Sequence, residues 1–495
     1  MPEITKETIE GTYLSDTLVG GFGDDTIKGL EGNDTIDGQA GSDTIYGGDG
    51  DDIIEGNFGN DKLYGDSGND TITDDSGSNT LDGGSGSDNL SSRSLSGDHT
   101  LIGSYGSDTL TATGKTVSLD GGEDNDNLYA YGYIDKEGSR SYLEDGTATL
   151  IGGNGNDSIE VQYYETVDVD GGDNNDYINI NNTSGTGNIK GGTGNDSLYA
   201  NSSLVVEIDG GSGEDYISDN SSQKSTLKGG VGKDNISSYY SNNSLLQGGD
   251  GDDIISSTIS HDIWNNSRKG DLNDNYVYDQ PIISVLKGGA GNDELKVRGQ
   301  STRLGNGSNE IEVIGGAGND TIDITDNNAG STSNTNGNEY GIVSVKIDGG
   351  KGKDEISVSG GLDVSITTGA DSDTVALTAQ QFRTLKEGAR IIKNDDGSSN
   401  VVDAKPIYIT DFSAGTSGDV LDYGDLLRNG TLSYDGSNPF ATGFLSLEQS
   451  GNDTLIRFDS DGSSGTEKSA VLVAVLENVS KSSLIAGNFN PNFPP

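Results

Sequence analysis

The chain has 495 residues and carries 29 Lys and Arg against 81 Asp and Glu, which gives a formal net charge of −52. This charge disfavours nucleic acid as a partner, the absence of cysteine excludes disulfides and thiolate metal sites, and no apolar stretch is long enough to span a bilayer. Only 30% of the residues are hydrophobic and 78 are glycine, so we expect a chain that stays unfolded until its charge is neutralised.

The N-terminal residues, MPEITKETIEG, have neither a basic region nor an apolar core, so no cleavable secretory signal is expected. Residues 11 to 91 then divide without a gap into nine segments of nine residues, the second of which is GGFGDDTIK. Position 8 of every segment is Leu or Ile, and position 6 is Asp in all but one, where Asn79 stands. The position-6 aspartates are Asp16, Asp25, Asp34, Asp43, Asp52, Asp61, Asp70 and Asp88.

Each segment combines a Gly-rich turn with a β-prone stretch that has one apolar side chain, which predicts a turn followed by a three-residue strand. One apolar residue per strand is buried only if the turns stack, so two segments should close one coil of a flattened parallel β-helix. Turns on the same edge would then lie about 4.8 Å apart. Carboxylate and carbonyl oxygens at these turns are calcium ligands, which predicts calcium between successive coils.

These segments resemble the RTX (repeats-in-toxin) family, whose consensus is GGxGxDxUx. The resemblance implies an all-β fold, a calcium-bound parallel β-roll with about 18 residues per coil. It also implies that the position-6 aspartates and the turn carbonyls bind the calcium ions. Tight β-turns with solvated aspartates are the alternative.

From residue 92 to 376 similar turns recur at wider spacing, mostly 18 to 20 residues. Asp373 holds position 6 of the turn that begins at Thr368, and we expect a further degenerate turn in KGDLNDNY, at Asp274. Carried over to the other turns, the resemblance implies these calcium ligands: Asp108, Asp126, Asp157, Asp176, Asp196, Asp215, Asp234, Asp253, Asp293, Asp320 and Asp354.

A spacing near 18 residues predicts a full coil with only one calcium turn. A second inward apolar residue should then precede each turn by two positions, and it does, at Leu101, Leu119, Leu150, Val169, Ile189, Ile208, Leu227, Leu246, Leu286, Val313, Ile347 and Ile366. We therefore expect calcium turns on one edge only. The other edge should absorb the insertions near residues 131–146, 261–281 and 325–341, which could form a binding face.

After Ala376 the repeat is expected to stop. Residues 377–391 have helical spacing, and the alternating strands that follow predict a small β-rich cap. Residues 407–489 resemble the C-terminal target domain of type I secretion substrates, which implies an uncleaved C-terminal secretion signal. The predicted organisation is a lead (1–10), a tandem nonapeptide β-roll (11–91), a degenerate β-roll (92–376), a helix and linker (377–404) and a secretion target domain (405–495).

No catalytic site is predicted. His99 and His261 lack the spacing of a metal-binding pair and are expected in loops or at the surface. Tyrosines cluster at Tyr129, Tyr131, Tyr133, Tyr142, Tyr163, Tyr164, Tyr239 and Tyr240. They could stack on sugars or on a neighbouring molecule, or simply suit half-exposed strands.

Roughly fifteen to seventeen calcium ions would offset about thirty negative charges. Because metal binding then becomes folding energy, the chain should remain unfolded in the cytosol and fold on extracellular calcium. We therefore expect a secreted structural, surface-associated or adhesive protein, with no effector domain ahead of the repeats. Its expected partners are calcium, the type I secretion apparatus and either cell-surface polysaccharide or a second copy of the chain. A polysaccharide-modifying β-helix enzyme with a site near His261 is the alternative, and a hemolysin-like toxin is a weaker one.

Overall fold

The structure, a computed structural model, describes residues 6–136, 139–143, 145–241, 243–259, 283–299, 310–326, 344–360, 363–387, 390–393, 399–402, 405–431, 434–463 and 470–493. The chain forms two compact units, Met1–Gln223 and Lys224–Pro495. Each is built from parallel strands that pair with the equivalent strand one coil further along, so the fold is a parallel β-roll, as predicted.

The N-terminal unit contains two parallel sheets, and the chain passes from one to the other twice in each coil. Sheet 1 consists of Thr8–Glu10, Thr26–Glu31, Thr44–Asp49, Lys62–Ser67, Thr80–Ser85, Asp98–Tyr105, Thr116–Glu123, Thr147–Asn154, Thr166–Asp173, Thr186–Thr193 and Val205–Ser212. Sheet 2 consists of Thr17–Val19, Thr35–Asp37, Ile53–Glu55, Thr71–Asp74, Asn89–Arg93, Thr109–Thr113, Asn127–Tyr131, Ser158–Gln162, Tyr177–Asn181, Ser197–Asn201 and Tyr216–Asn220.

The C-terminal unit repeats this plan and ends in an antiparallel hairpin. Sheet 3 consists of Lys224–Val231, Asn243–Asp250, Ile283–Ala290, Glu310–Ala317, Ser344–Lys351, Asp363–Thr367, Ile407–Ile409, Val471–Leu476, Asp453–Phe458 and Leu445–Ser450. Sheet 4 consists of Asn235–Tyr239, Ile254–Ile259, Glu294–Gly299, Thr321–Asp326, Glu355–Ser359, Thr374–Leu377, Val420–Asp422 and Phe489–Asn490.

Among the described residues, the C-terminal unit has three helices, α1 (Ala379–Glu387), α2 (Gly424–Gly430) and α3 (Pro439–Thr442). Two 3-10 turns (Lys481–Ser483, Ala486–Asn488) and a small hairpin (Arg390–Lys393 with Ser399–Val402) complete it. In the part of the chain that the structure describes, no helix has the length and apolar character needed to cross a lipid bilayer.

The turns lie on two edges, which we name by the direction of the chain. At the first edge the chain passes from sheet 1 to sheet 2, or from sheet 3 to sheet 4, and at the second edge it returns. Asp34 lies at the first edge, between strands Thr26–Glu31 and Thr35–Asp37, and Asp43 lies at the second edge, before Thr44–Asp49.

The core is a stack of inward side chains whose number per coil changes along the chain. Strands Thr26–Glu31 and Thr35–Asp37 bury two apolar side chains, Ile27 and Ile36. Strands Thr116–Glu123 and Asn127–Tyr131 bury four, Val117, Leu119, Leu128 and Ala130. The predicted second apolar row is confirmed, since all twelve of its residues, from Leu101 to Ile366, are buried.

The insertions lie at the second edge, as predicted. Tyr133–Lys136 and Ser139–Tyr142 form an antiparallel hairpin between the sheet 2 strand Asn127–Tyr131 and the sheet 1 strand Thr147–Asn154. The other two insertions, with His261 and Asp274, lie outside the described residues. The degenerate turn predicted at Asp274 therefore stays a prediction, and the described strands on either side, Asn243–Asp250 and Ile283–Ala290, pair with each other.

The C-terminal region differs from the prediction in two ways. Helix α1 is shorter than residues 377–391, because a strand begins at Arg390. The coil also continues past Ala376, since Ile407–Ile409 pairs with the sheet 3 strand before it and Val420–Asp422 with the sheet 4 strand before it. The predicted hairpin is confirmed between Leu445–Ser450 and Asp453–Phe458.

Candidate metal sites along the two turn edges

The position-6 aspartates of the first edge form a ladder of hydrogen bonds. In the N-terminal unit the backbone N–H of each aspartate donates to Oδ1 of the aspartate in the next coil, over 2.7–2.9 Å. This ladder joins Asp16, Asp34, Asp52, Asp70, Asp88, Asp108, Asp126, Asp157, Asp176, Asp196 and Asp215. In the C-terminal unit it joins Asp234, Asp253, Asp293, Asp320, Asp354 and Asp373, and Asp373 in turn donates to Asp419 over 3.0 Å.

A shorter ladder lies at the second edge. Glu7 donates to Asp25, Asp25 to Asp43, Asp43 to Asp61, and Asp61 to Oδ1 of Asn79. The strand pairing then places His99, Val117, Ala148 and Val167 in successive coils of the same row. The structure thus brings the predicted site residues into rows along the edges of each unit, and beyond residue 91 the position-6 aspartates within the described residues lie at the first edge.

The second oxygen of most ladder aspartates is buried and has no hydrogen-bond partner. This holds for Oδ2 of Asp34, Asp43, Asp52, Asp61, Asp70, Asp88, Asp108, Asp126, Asp157, Asp176, Asp196, Asp253, Asp293, Asp320 and Asp354. Asp215 and Asp234 are equally buried, each at the first edge of its own unit. Buried carboxylate oxygens without donors are costly, so each of these positions is suited to a cation.

The first two predicted residues differ from the others. Oδ2 of Asp16 accepts hydrogen bonds from the backbone N–H and the hydroxyl of Thr12, over 2.6 and 2.8 Å. Oδ2 of Asp25 accepts one from the backbone N–H of Gly21, over 2.8 Å. These carboxylates, at the beginning of each ladder, are therefore partly satisfied by the protein.

The glycine at position 1 leaves the space onto which two oxygens converge. A Cβ added to Gly29 would lie 2.2 Å from Oδ2 of Asp34 and 2.4 Å from the carbonyl oxygen of Gly47, in the next coil. At Gly152 both distances, to Asp157 Oδ2 and the Gly171 carbonyl, are 2.4 Å. Any side chain would overlap these oxygens, so glycine is required where a carboxylate and a carbonyl face the same space.

Burial raises the pKa of the Asp126 and Asp176 carboxyl groups although backbone N–H donors lower it. The pKa of Asp126 rises to about 7 and that of Asp176 to about 8, first because burial disfavours the charged form and further because of neighbouring aspartates. Stacked acids in this setting resist ionisation, and a divalent cation between them would favour the ionised form. Oxygen-only donors of this kind suit calcium.

Among the described residues, no group of three or more His, Cys, Asp and Glu side chains gathers at one point. A metal site here would therefore combine one carboxylate per turn with backbone carbonyls, such as Asp34 with the Gly47 carbonyl. Such a set is consistent with a hard cation that accepts many neutral oxygens.

A second, exposed ladder at position 5 was missed by the sequence reasoning. The backbone N–H of Asp51 donates to Oδ1 of Asn33, and that of Asn69 donates to Oδ1 of Asp51. The same bonds join Asn156 to Asn125 and Asn319 to Asn292. The recurrence of Asn, Asp and Ser at position 5 was the available signal.

The end of the first-edge ladder was also missed. Oδ2 of Asp419 accepts hydrogen bonds from the backbone N–H of Ser413 (2.7 Å) and the hydroxyl of Thr368 (3.1 Å). Asp411 accepts the backbone N–H groups of Thr368 and Gly369. The ladder therefore ends at a carboxylate whose oxygens are satisfied by the protein, and the spacing of Asp419 and Leu421, positions 6 and 8 of the repeat, could have indicated it.

The expectation that His99 lies in a loop or at the surface was wrong. It lies in strand Asp98–Tyr105 and is only 2% exposed. Its Nδ1 lies 2.8 Å from the Ser92 hydroxyl and its Nε2 3.3 Å from the Ser94 carbonyl oxygen. Its position in the second-edge row explains the burial.

The predicted tyrosine clusters are partly confirmed as ring contacts. Tyr129 and Tyr131 stack with ring centres 6.3 Å apart, and Tyr133 meets Tyr163 edge-on at 5.2 Å. Tyr164, in contrast, is fully buried. Tyr239 and Tyr240 lie 6.5 Å apart, whereas the side chain of Tyr142 lies outside the described set.

The sequence profile of the RTX calcium-binding nonapeptide repeat matches residues 10–45, 29–63, 37–72, 64–93, 102–132, 143–160, 181–203 and 312–323. These segments, which together make up less than half of the chain, are similar to RTX calcium-binding nonapeptide repeats. The matched ranges contain aspartates of both ladders, so these RTX turns are the ones whose carboxylates the β-roll buries. No curated protein matches the chain.

Proposed function

We propose that the two aspartate ladders bind calcium between successive turns and that this binding drives the folding of the β-roll. The supporting observation is the set of buried Oδ2 atoms without donors in each unit, such as those of Asp34, Asp126 and Asp320. In each gap the ligands would be a position-6 carboxylate and carbonyl oxygens of the turns, such as that of Gly47 next to Asp34. Bound calcium would supply the positive charge that these carboxylates lack, roughly fifteen ions in all.

The coupling between calcium binding and folding is strong because of the chain's negative charge. The chain carries a net charge of −52, and stacking like charges one coil apart opposes folding. Since the aspartates are brought together only in the folded roll, calcium binds the folded state and stabilises it. Without calcium the chain would be expanded.

This coupling suits a protein that folds after export. Extracellular calcium-binding modules typically operate at millimolar calcium, far above cytosolic levels. We propose that the chain is secreted through a type I apparatus, read from residues 405–495, and folds outside the cell. There the roll would serve as a structural, surface-associated or adhesive protein, with cell-surface polysaccharide or a second copy as its partner.

The test is a calcium titration of the EDTA-stripped full-length chain, followed by far-UV circular dichroism and hydrodynamic radius. We expect β signal to appear cooperatively near millimolar calcium while the radius falls. Magnesium at the same ionic strength serves as the control and should not substitute. An apo protein that is already folded and indifferent to calcium would contradict the proposal.

A further inference from the structure

The eighth nonapeptide, DDSGSNTLD (residues 74–82), departs from the repeat at two positions at once. Asp74 stands at position 1, where the other turns of residues 11–91 have glycine, and Asn79 stands at position 6, where they have aspartate. The segment has thus lost a carboxylate at one position and gained one at the other. Both residues lie in the second-edge row and both are 2% exposed.

Asp74 places its carboxylate where neighbouring gaps have a carbonyl. A Cβ on Gly38 would meet Asp43 Oδ2 at 2.7 Å and the Gly56 carbonyl oxygen at 2.9 Å. A Cβ on Gly56 would instead meet Asp74 Oδ2 at 2.3 Å and Asp61 Oδ2 at 2.9 Å. Two carboxylate oxygens, both buried and without hydrogen-bond partners, therefore point into one inter-coil gap.

Asn79 places a hydrogen-bond donor in the next inter-coil gap of the second edge. Its Oδ1 still accepts the backbone N–H of Asp61 over 3.0 Å, which preserves the ladder. Its Nδ2, however, donates to the Ser76 carbonyl (3.0 Å) and the Ser92 hydroxyl (3.3 Å). An amide donor thus takes the place of the second carboxylate oxygen, and the row continues through Ser92 to His99 instead of through further acids.

We propose that Asp61 and Asp74 together form a two-carboxylate calcium site, the last and tightest of the second edge. This inference rests on the proposed calcium-dependent folding and specifies which gap holds its ion most strongly. A second carboxylate adds a full negative charge and an anionic ligand to a site that otherwise has one, and ligand charge is the main determinant of calcium affinity. Compared with the repeat, this nonapeptide therefore carries its negative charge at residue 74 instead of residue 79, and the second edge keeps a cation site.

The experiment counts calcium ions on the full-length protein by native mass spectrometry as buffered free calcium is lowered. The Asp74→Asn variant keeps the side-chain volume and removes the charge. Asp75→Asn is the matched control, since Asp75 is the adjacent residue and is exposed. Asp74→Gly is a second variant that restores the glycine of the repeat, so that failure to fold cannot obscure the result. Far-UV circular dichroism at saturating calcium monitors folding.

The wild type and Asp75→Asn should retain one ion at free calcium about tenfold below that which empties the other second-edge gaps. Asp74→Asn and Asp74→Gly should lose this ion together with the others, and Asp61→Asn/Asp74→Asn should be no weaker than Asp61→Asn alone. Equal retention by the wild type and both Asp74 variants would overturn the two-carboxylate site and leave the proposed function intact. A wild type that binds no calcium at all would overturn both.

Discussion

The two edges of the N-terminal unit fill the space between stacked turns with different side chains. Both edges begin with glycine at position 1 and aspartate at position 6. The first edge keeps this pair throughout the unit, with Asp126 and Asp157 each buried beneath an equivalent turn. The second edge changes through Asn79 and His99 to Val117 and Ala148, all of them buried.

This difference between the edges shows which interactions stabilise each coil. Each fully buried Val, Leu or Ile contributes about 1.5–3 kcal/mol, so a coil with four buried apolar side chains is held together without metal at one edge. A coil such as that of Ile27 and Ile36 has two, and both of its edges end in buried carboxylates. Calcium dependence should therefore be greater in residues 11–55 than in the coils of residues 116–223.

The largest effect should come from placing an aspartate, the position-6 residue of the first edge, in the apolar part of the second edge. Val117→Asp places a carboxylate in the row of Asp25 and Asp43, but beside the buried methyl group of Ala112 instead of glycine. With no space for a cation, the unpaired buried charge should lower the free energy of unfolding by about 3–5 kcal/mol. Urea denaturation at saturating calcium measures this.

The control for this variant is Val117→Thr, which has nearly the same shape and no charge. It should cost about 1–3 kcal/mol, the penalty for a buried hydroxyl. A Val117→Asp variant as stable as Val117→Thr at saturating calcium would show that the apolar edge can still form a metal site, contrary to expectation.

Asp126→Asn should change stability in opposite directions with and without calcium. In calcium it removes an anionic ligand and should destabilise the fold by about 2 kcal/mol. In EDTA, where the wild-type chain is expected to be expanded, it removes a buried carboxyl whose pKa burial raises to about 7, so the variant should keep more residual β signal in far-UV circular dichroism than the wild type. Glu123→Gln, at an exposed residue of the same turn that does not shift the pKa of Asp126, should do neither, and a same-sign effect under both conditions would contradict the metal role.

Gly152→Ala tests the space at position 1. Its Cβ would lie 2.4 Å from both Asp157 Oδ2 and the Gly171 carbonyl, so we expect a loss of about 1–2 kcal/mol in calcium and a higher calcium midpoint. Ala112→Gly, at the equivalent position of the apolar edge, should cost about 0.5–1 kcal/mol and leave the calcium midpoint unchanged. A shift of the midpoint by both variants would mean that backbone stiffness, not the oxygen-lined space, sets calcium affinity.

The smallest effect should be the pH response of His99. Burial lowers its pKa below 6.5, while Asp98 and backbone hydrogen bonds partly offset this. Since the folded state binds the proton less readily than the unfolded state, stability should fall as pH drops below about 6.5. Between pH 7.5 and 5.5 the wild type should lose about 1 kcal/mol more than His99→Gln, measured by urea denaturation at saturating calcium; equal losses would contradict this.

The repeat made most of the first-edge ladder predictable, because glycine at position 1 and aspartate at position 6 are required wherever a carboxylate and a carbonyl share a gap. His99 was misplaced because only the strand register shows that it follows Asn79 in a buried row. Asp74 could not be recognised as a ligand because its position is one that the repeat reserves for glycine.

The most direct test of calcium-driven folding is hydrogen–deuterium exchange of the full-length chain across a series of buffered calcium concentrations. Amides of both ladders should be protected in calcium and exchange freely in EDTA. As calcium is lowered, residues 11–55 should lose protection before the coils of residues 116–223, whose second edge is apolar. Protection that persists in EDTA along the aspartate rows would contradict the central claim that calcium holds these turns together.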